Sequence, residues 1–301
     1  MSGQRRTRSS AASSFLVALC LATVATLVVP ATPASAAVPG LVRIATVSAN
    51  NSLDFRSVTA TCPVGKRLVG TGYEINGATG EVVIDDLRPN GGPALAPNAV
   101  TVGAYEADAF AGNWNITAYA ICAFSLVGLA RIAAVSATNS LDFRSVTATC
   151  PAGKRLLGTG YEINGATGEA VVDDFRPNGG PALAPNAVTV GAYEADAFAG
   201  NWNITAYAIC AFPIAGLARV SAVSATNSAN FRSVTATCPA GKVLTGGGYE
   251  VNGATGEAVV DDFRPNGGPI TAPTLMNAGA YEEDAFSGNW SVTSYGICAT
   301  R

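Results

Sequence analysis

The chain has 301 residues, with 18 Lys plus Arg against 21 Asp plus Glu and no histidine. The missing histidine excludes the usual Ser-His-Asp triads, Cys/His dyads and His-based zinc sites. Its mildly acidic balance argues against the basic face that nucleic-acid recognition requires, and abundant Gly, Ala, Thr and Val suit sheet rather than helix.

In chain order, residues 1–36 read as a signal peptide. Arg5, Arg6 and Arg8 form a basic start, Phe15 to Val29 form an apolar run, and Ala34-Ser35-Ala36 supplies small residues for cleavage. The run falls short of the roughly 20 residues that span a bilayer, so no stable membrane insertion is expected after cleavage. Cys20 leaves with this segment. The remainder carries 15 basic residues, the chain's 18 less the three in the signal, against 21 acidic ones. The expected location is secreted, extracellular or attached to the cell surface.

From Gly40 onward the sequence repeats with a spacing of 88. The repeats are 40–127, 128–215 and 216–301, and the first two differ at only 11 of 88 positions. A unit of this length is the size of a small domain and too long for a solenoid turn. Within the first repeat, short apolar runs alternate with Gly, Asn and Pro turns, the pattern of a sandwich or barrel. Strands are predicted near Leu41–Ser48, Arg56–Cys62, Arg67–Ile75, Glu81–Leu87, Ala99–Glu106 and Trp114–Ala123, with a long loop over Pro89–Pro97. The joins between repeats, such as Ala123 to Leu129, are short and apolar. They predict neighbours packed together rather than swinging on a flexible linker.

A period of two assigns faces. Val58, Ala60 and Cys62 share one side of the second strand, and Trp114, Ile116, Ala118, Ala120 and Cys122 share one side of the last. Both cysteines therefore sit on the apolar side, as a core disulfide demands. Six cysteines in an exported chain read as a disulfide framework. Repeat symmetry favours Cys62–Cys122, Cys150–Cys210 and Cys238–Cys298. The alternative joins neighbours through Cys122–Cys150, Cys210–Cys238 and Cys62–Cys298.

The recurring pattern TCPxGKxLxGxGYExNG, then DDxRPNGG, then NWxxTxYxIC resembles a module of secreted actinobacterial proteins. It is also similar to modules at the C-terminus of some collagen-like and phage-tail-associated proteins. In the first repeat these residues run from Thr61 to Cys122. The resemblance implies a secreted β-rich module and brings no activity with it. The expected fold is all-β, as three tandem β-sandwich-like domains each with one disulfide. The alternative is a three-fold β-prism-like arrangement, similar to that of egg vitelline outer-layer proteins.

No catalytic residue and no cofactor is expected. Glu74, Glu106 and Asp108 offer carboxylates for glycosidase chemistry, but an 88-residue unit leaves little room for a pocket. The pairs Asp85-Asp86, Asp173-Asp174 and Asp261-Asp262 precede the RPNGGP segments and are candidate Ca²⁺ ligands. Adjacent strand residues face opposite ways, so neither pair member is expected to share an acid/base site with the other. Trp114, Trp202 and Trp290 follow the cysteine parity and are expected in the core.

The candidate ligand face consists of outward aromatic and amide or carboxylate side chains. These are Tyr105, Asp108, Asn113, Asn115 and Tyr119, with Tyr193, Asp196, Asn201, Asn203 and Tyr207, and Tyr281, Asp284, Asn289 and Tyr295. The sequence-level expectation is a non-enzymatic multivalent binder of polysaccharide or cell-envelope glycan. Its rival is a structural surface or coat protein that self-associates through its β repeats.

Overall fold

The structure is a computed structural model that describes residue 3 and residues 37–90, 96–178, 184–266 and 272–301. The signal-peptide segment apart from residue 3, and most of the predicted Pro89–Pro97 loop, lie outside the described residues. Residues 35–301 form one compact unit. The first repeat supplies β1 (Val42–Val47), β2 (Phe55–Thr61), β3 (Lys66–Asn76), β4 (Val82–Asn90), β5 (Ala99–Glu106) and β6 (Asn115–Phe124). The second supplies β7 (Ala130–Val135), β8 (Phe143–Thr149), β9 (Arg155–Asn164), β10 (Ala170–Asn178), β11 (Ala187–Glu194) and β12 (Asn203–Ala211). The third supplies β13 (Ala218–Val223), β14 (Phe231–Thr237), β15 (Lys242–Asn252), β16 (Ala258–Asn266), β17 (Leu275–Glu282) and β18 (Ser291–Thr300).

All six strands predicted per repeat are present, within a few residues at each end. The largest difference is β4, which runs on through Pro89 to Asn90. Its pairing with β9 covers only Asp86 and Leu87, so Pro89 lies beyond that ladder and needs no N–H toward it. Each repeat closes its own disulfide: Cys62–Cys122, Cys150–Cys210 and Cys238–Cys298. A bond closing 60 residues contributes about 4 kcal/mol by restricting the unfolded chain. Disulfides of this kind mark an oxidising environment. Among the described residues, no helix is long and apolar enough to cross a membrane.

The strand order decides how the repeats sit together. The three six-stranded sheets run β1-β6-β3-β16-β17-β14, β13-β18-β15-β10-β11-β8 and β2-β5-β4-β9-β12-β7. Each sheet takes three strands from one repeat and three from another. The seams are β3–β16, β9–β4 and β15–β10, so the repeats join in a closed cycle around a pseudo-threefold axis. This is the prism-like arrangement of the two that the sequence offered.

The axis explains the glycine-rich motif in β3, β9 and β15. A Cβ on Gly70 would lie 2.0 Å from the Thr245 carbonyl oxygen, and one on Gly158 would lie 2.1 Å from that of Val69. Only glycine lets three backbones approach this closely. The Thr71 hydroxyl donates to the Thr159 carbonyl at 2.7 Å, and that of Thr159 donates to Gly247 at 2.6 Å. In the third repeat Gly247 has no hydroxyl, and Thr245 instead donates to Leu157 at 2.9 Å. Farther along the axis, the hydroxyls of Tyr73 and Tyr161 each meet that of Tyr249 at 3.2 Å. Phe175 and Phe263 pack against these rings. One continuous core cluster includes residues from all three repeats.

The predicted faces hold. Ala60 and Cys62 are buried while Ser57, Thr59 and Thr61 are exposed, and Trp114, Trp202 and Trp290 are fully buried. Arg56, Arg144 and Arg232 are buried as well. Arg56 lies 4.7 Å from the Trp114 ring centroid and donates from Nε to the Trp114 carbonyl at 3.2 Å. Its position had a sequence signal, since residue 56 shares the parity of Val58, Ala60 and Cys62. The first join packs through Ala123, Leu126 and Leu129, which are buried, while Phe124 and Val127 stay exposed.

Candidate functional site

The outer face of each sheet carries a band of polar and aromatic side chains to which all six strands contribute. On one sheet it comprises Phe55 on β2, Tyr105 on β5, Asp86 and Arg88 on β4, Glu162 on β9, Tyr207 on β12 and Arg131 on β7. Six strands spaced by about 4.8 Å make the band roughly 24 Å long. Equivalent bands contain Phe143, Tyr193 and Asp174, and Phe231, Tyr281 and Asp262. Because Glu162 and Tyr207 belong to the second repeat and Asp86 to the first, every band is a composite of two repeats.

At one end lies an aromatic platform of an exposed Phe and a half-buried Tyr. Phe55 and Tyr105 are cross-strand partners whose ring centroids are 4.5 Å apart at an interplanar angle of 33°. The pairs Phe143–Tyr193 and Phe231–Tyr281 repeat this at 4.4 Å. Phe55 keeps 41% of its surface exposed, unusual for so large an apolar side chain set in a strand.

A carboxylate adjoins the rings. A Cβ on Gly191 would lie 3.1 Å from Asp174 Oδ2 and 3.3 Å from the Phe143 ring. A Cβ on Gly279 would lie 3.1 Å from Asp262 and 3.4 Å from Phe231. Ring edge and carboxylate thus share the space above one glycine, which therefore carries no side chain. Burial raises the Asp86 carboxyl above its ordinary range; Arg88 opposes the shift and Glu162 adds to it. Asp174 and Asp262 are raised for the same reasons.

The other end of the band is internally satisfied. Glu162 accepts from Arg88 at 2.8 Å and from the Tyr207 hydroxyl. Glu250 accepts from Arg176 and Tyr295, each at 2.6 Å, and Glu74 accepts from Arg264 and from Tyr119 at 2.6 Å. Arg131 covers the Tyr207 ring at 5.3 Å and donates to the Pro89 carbonyl. Tyr119, Tyr207 and Tyr295 are therefore buried, each holding the Glu of its own repeat whose Arg partner lies across the seam, and burial raises their hydroxyl pKa values.

The structure separates the remaining predicted residues from the platform. Asp108, Asp196 and Asp284 lie in loops that converge at one end of the axis. There, burial first and these carboxylates next push the Glu283 carboxyl up to about 7. Asn113, Asn201 and Asn289 are exposed on the same loops. Asn115 accepts from Asn76 at 3.3 Å, Asn203 donates to Thr138 at 3.0 Å, and the third repeat has Ser291 at this position. Phe55, Phe143, Phe231 and the seam partner Glu162 were not read as site residues. The recurring LDF and NF segments were a signal for the Phe, but pairing between repeats is not visible in a linear pattern.

The aspartate pairs split as the sequence suggested, with a bulge between Ile84 and Asp86 in register with β5. Asp86 faces outward. Asp85, Asp173 and Asp261 are buried, each with Oδ1 lacking a hydrogen-bond partner among the described residues. Asp173 Oδ2 accepts from the Gly256 N–H at 3.0 Å and Asp261 Oδ2 from the Gly80 N–H at 3.3 Å. This explains the recurrence of NGATGE, whose last glycine has φ near 80° and docks on the preceding repeat in the cycle. Among the described residues, no group of three or more Cys, Asp and Glu is placed to hold a metal ion.

Burial raises all three buried carboxyls well above the ordinary range. A folded-state pKa above the unfolded value of about 3.9 gives a contribution complete below that pH. It is lost as pH rises through the folded pKa. Replacing Asp85, Asp173 and Asp261 together by Asn should raise the melting temperature at pH 8 and leave it nearly unchanged at pH 4. An equal shift at both pH values would remove the buried carboxyls as the cause.

The chain matches no model of a known protein family, and no curated protein matches its sequence.

Proposed function

We propose that the protein is a secreted, non-enzymatic, multivalent binder of polysaccharide or cell-envelope glycan. The observation that carries this reading is the pairing of an exposed Phe with a half-buried Tyr beside an outward carboxylate, present once on each sheet. Aromatic faces suit the C–H surface of a sugar ring, and a neighbouring carboxylate accepts from its hydroxyls. Each band lies along a sheet face and draws on all six strands, which suits binding an extended chain.

Replacing all six platform residues, Phe55, Tyr105, Phe143, Tyr193, Phe231 and Tyr281, by Ala should abolish retention on immobilised neutral polysaccharide. The control Tyr119→Phe should leave retention intact. Unchanged retention of the six-fold variant would discard the platform as the site.

A second reading, a structural surface protein, draws on the sheet edges. β1 and β2, β7 and β8, and β13 and β14 are edge strands. Near them Val47, Leu53, Val135 and Leu141 are exposed. Concentration-dependent assembly without ligand would favour this reading.

A further inference from the structure

We infer that the protein cross-links separate neutral polysaccharide chains rather than gripping one surface with three sites. This inference rests on the glycan reading and concerns what the placement of the three platforms permits.

The three bands are on the outer faces of three sheets related by the pseudo-threefold axis. They therefore face away from one another by roughly a third of a turn. Nothing in the fold lets them converge. The joins between repeats are anchored by buried Ala123, Leu126 and Leu129 and by Ala211 and Ile214, the seams are strand pairs, and the core is shared by all three repeats. Multivalent sites raise affinity only when geometry allows them to engage one target together. A flat polymer surface reaches one platform at a time, whereas chains in solution reach all three. One protein molecule then becomes a three-way junction.

The chemistry of the band selects a neutral, hydroxyl-rich chain. Its guanidinium groups are already engaged: Arg88 with Glu162, and Arg131 with the Pro89 carbonyl and the Tyr207 ring. Beside the rings the charged neighbours are Asp86 and the exposed Asp54, acceptors for sugar hydroxyls and repulsive neighbours for a uronate or phosphate.

The test mixes the full chain with soluble galactomannan and follows light scattering as the ratio varies, with alginate as the anionic counterpart. A one-platform variant carries Phe143→Ala, Tyr193→Ala, Phe231→Ala and Tyr281→Ala, leaving Phe55 and Tyr105. The full chain should raise scattering to a maximum at an intermediate ratio and fail to do so with alginate. The one-platform variant should still bind galactomannan, which also establishes that it is folded, while scattering falls by at least about tenfold. On a flat sensor coated with galactomannan, the two proteins should differ by no more than the roughly threefold statistical factor. Binding by the full chain without scattering, or a much larger gain on the flat surface, would overturn the cross-linking inference alone. Absence of binding to galactomannan by either protein would overturn it together with the glycan reading.

Discussion

Residues 128–215 produced alone, with Cys150–Cys210 closed, are expected to sediment as a trimer. In the full chain the β9 edge of this repeat pairs with β4, and its β10 edge pairs with β15. Cut free, the repeat exposes both edges and the core surface that carries Tyr161 and Phe175, both fully buried in the intact protein against Tyr249 and Phe263. An unpaired edge beside an apolar face seeks a partner. The first two repeats differ at 11 of 88 positions, so a copy of the second repeat presents nearly the surface that the first one offers. Head-to-tail contacts of this kind close into a ring when the rotation allows, and in the intact chain they close after three. Analytical ultracentrifugation checks the state, and dilution should unfold and dissociate the trimer together. A monodisperse folded monomer would show that each repeat has a sufficient core of its own.

Gly158→Ala is expected to cost much for its size, as are the matching changes to Ala at Gly70 and Gly248. The added methyl would lie 2.1 Å from the Val69 carbonyl oxygen, a backbone atom in the crowded axis, with Gly70 Cα at 2.7 Å. No flexible side chain can give way, so the penalty belongs at the upper end for overpacking, about 3 kcal/mol or more. For a unit of this size that is roughly 6–12 °C in melting temperature. Gly65→Ala is the comparison. Gly65 has φ of 82° and open space around its would-be Cβ, so only the backbone penalty of about 1 kcal/mol applies. Thermal melts of both variants, oxidised and at one pH, separate crowding from conformational strain. Equal shifts would mean that the axis relaxes more freely than its packing implies.

The platform and the axis differ in how legible they were. Tyr105, Tyr193 and Tyr281 were readable as outward residues because alternation along a strand is a local property. Tyr119 was read as outward by the same rule and does lie on the outer face. Its availability to a ligand depended on Glu74 and Arg43, distant in the chain, which engage its hydroxyl and cover its ring. Arg56 was legible by parity, whereas its partner Trp114 lies 58 residues away. The RPNGGP segment read as a loop from its Pro and Gly, yet Pro89 and Asn90 continue a strand because β5 pairs with them on one side.

By itself the sequence determined the repeats, the six strands in each, the inward and outward faces and the register of the cysteines. These follow from period-two burial, turn chemistry and duplication, all of which act over a few residues or recur identically along the chain. Only the tertiary structure decided that each sheet is shared between two repeats, that Asp86 of one lies beside Glu162 of the next, and that three platforms face outward from a common axis. Identical repeats make pairing within a unit and pairing between units equally compatible with the local pattern. The choice between them is made by burial of Tyr73, Tyr161 and Tyr249 at an axis that no single repeat contains.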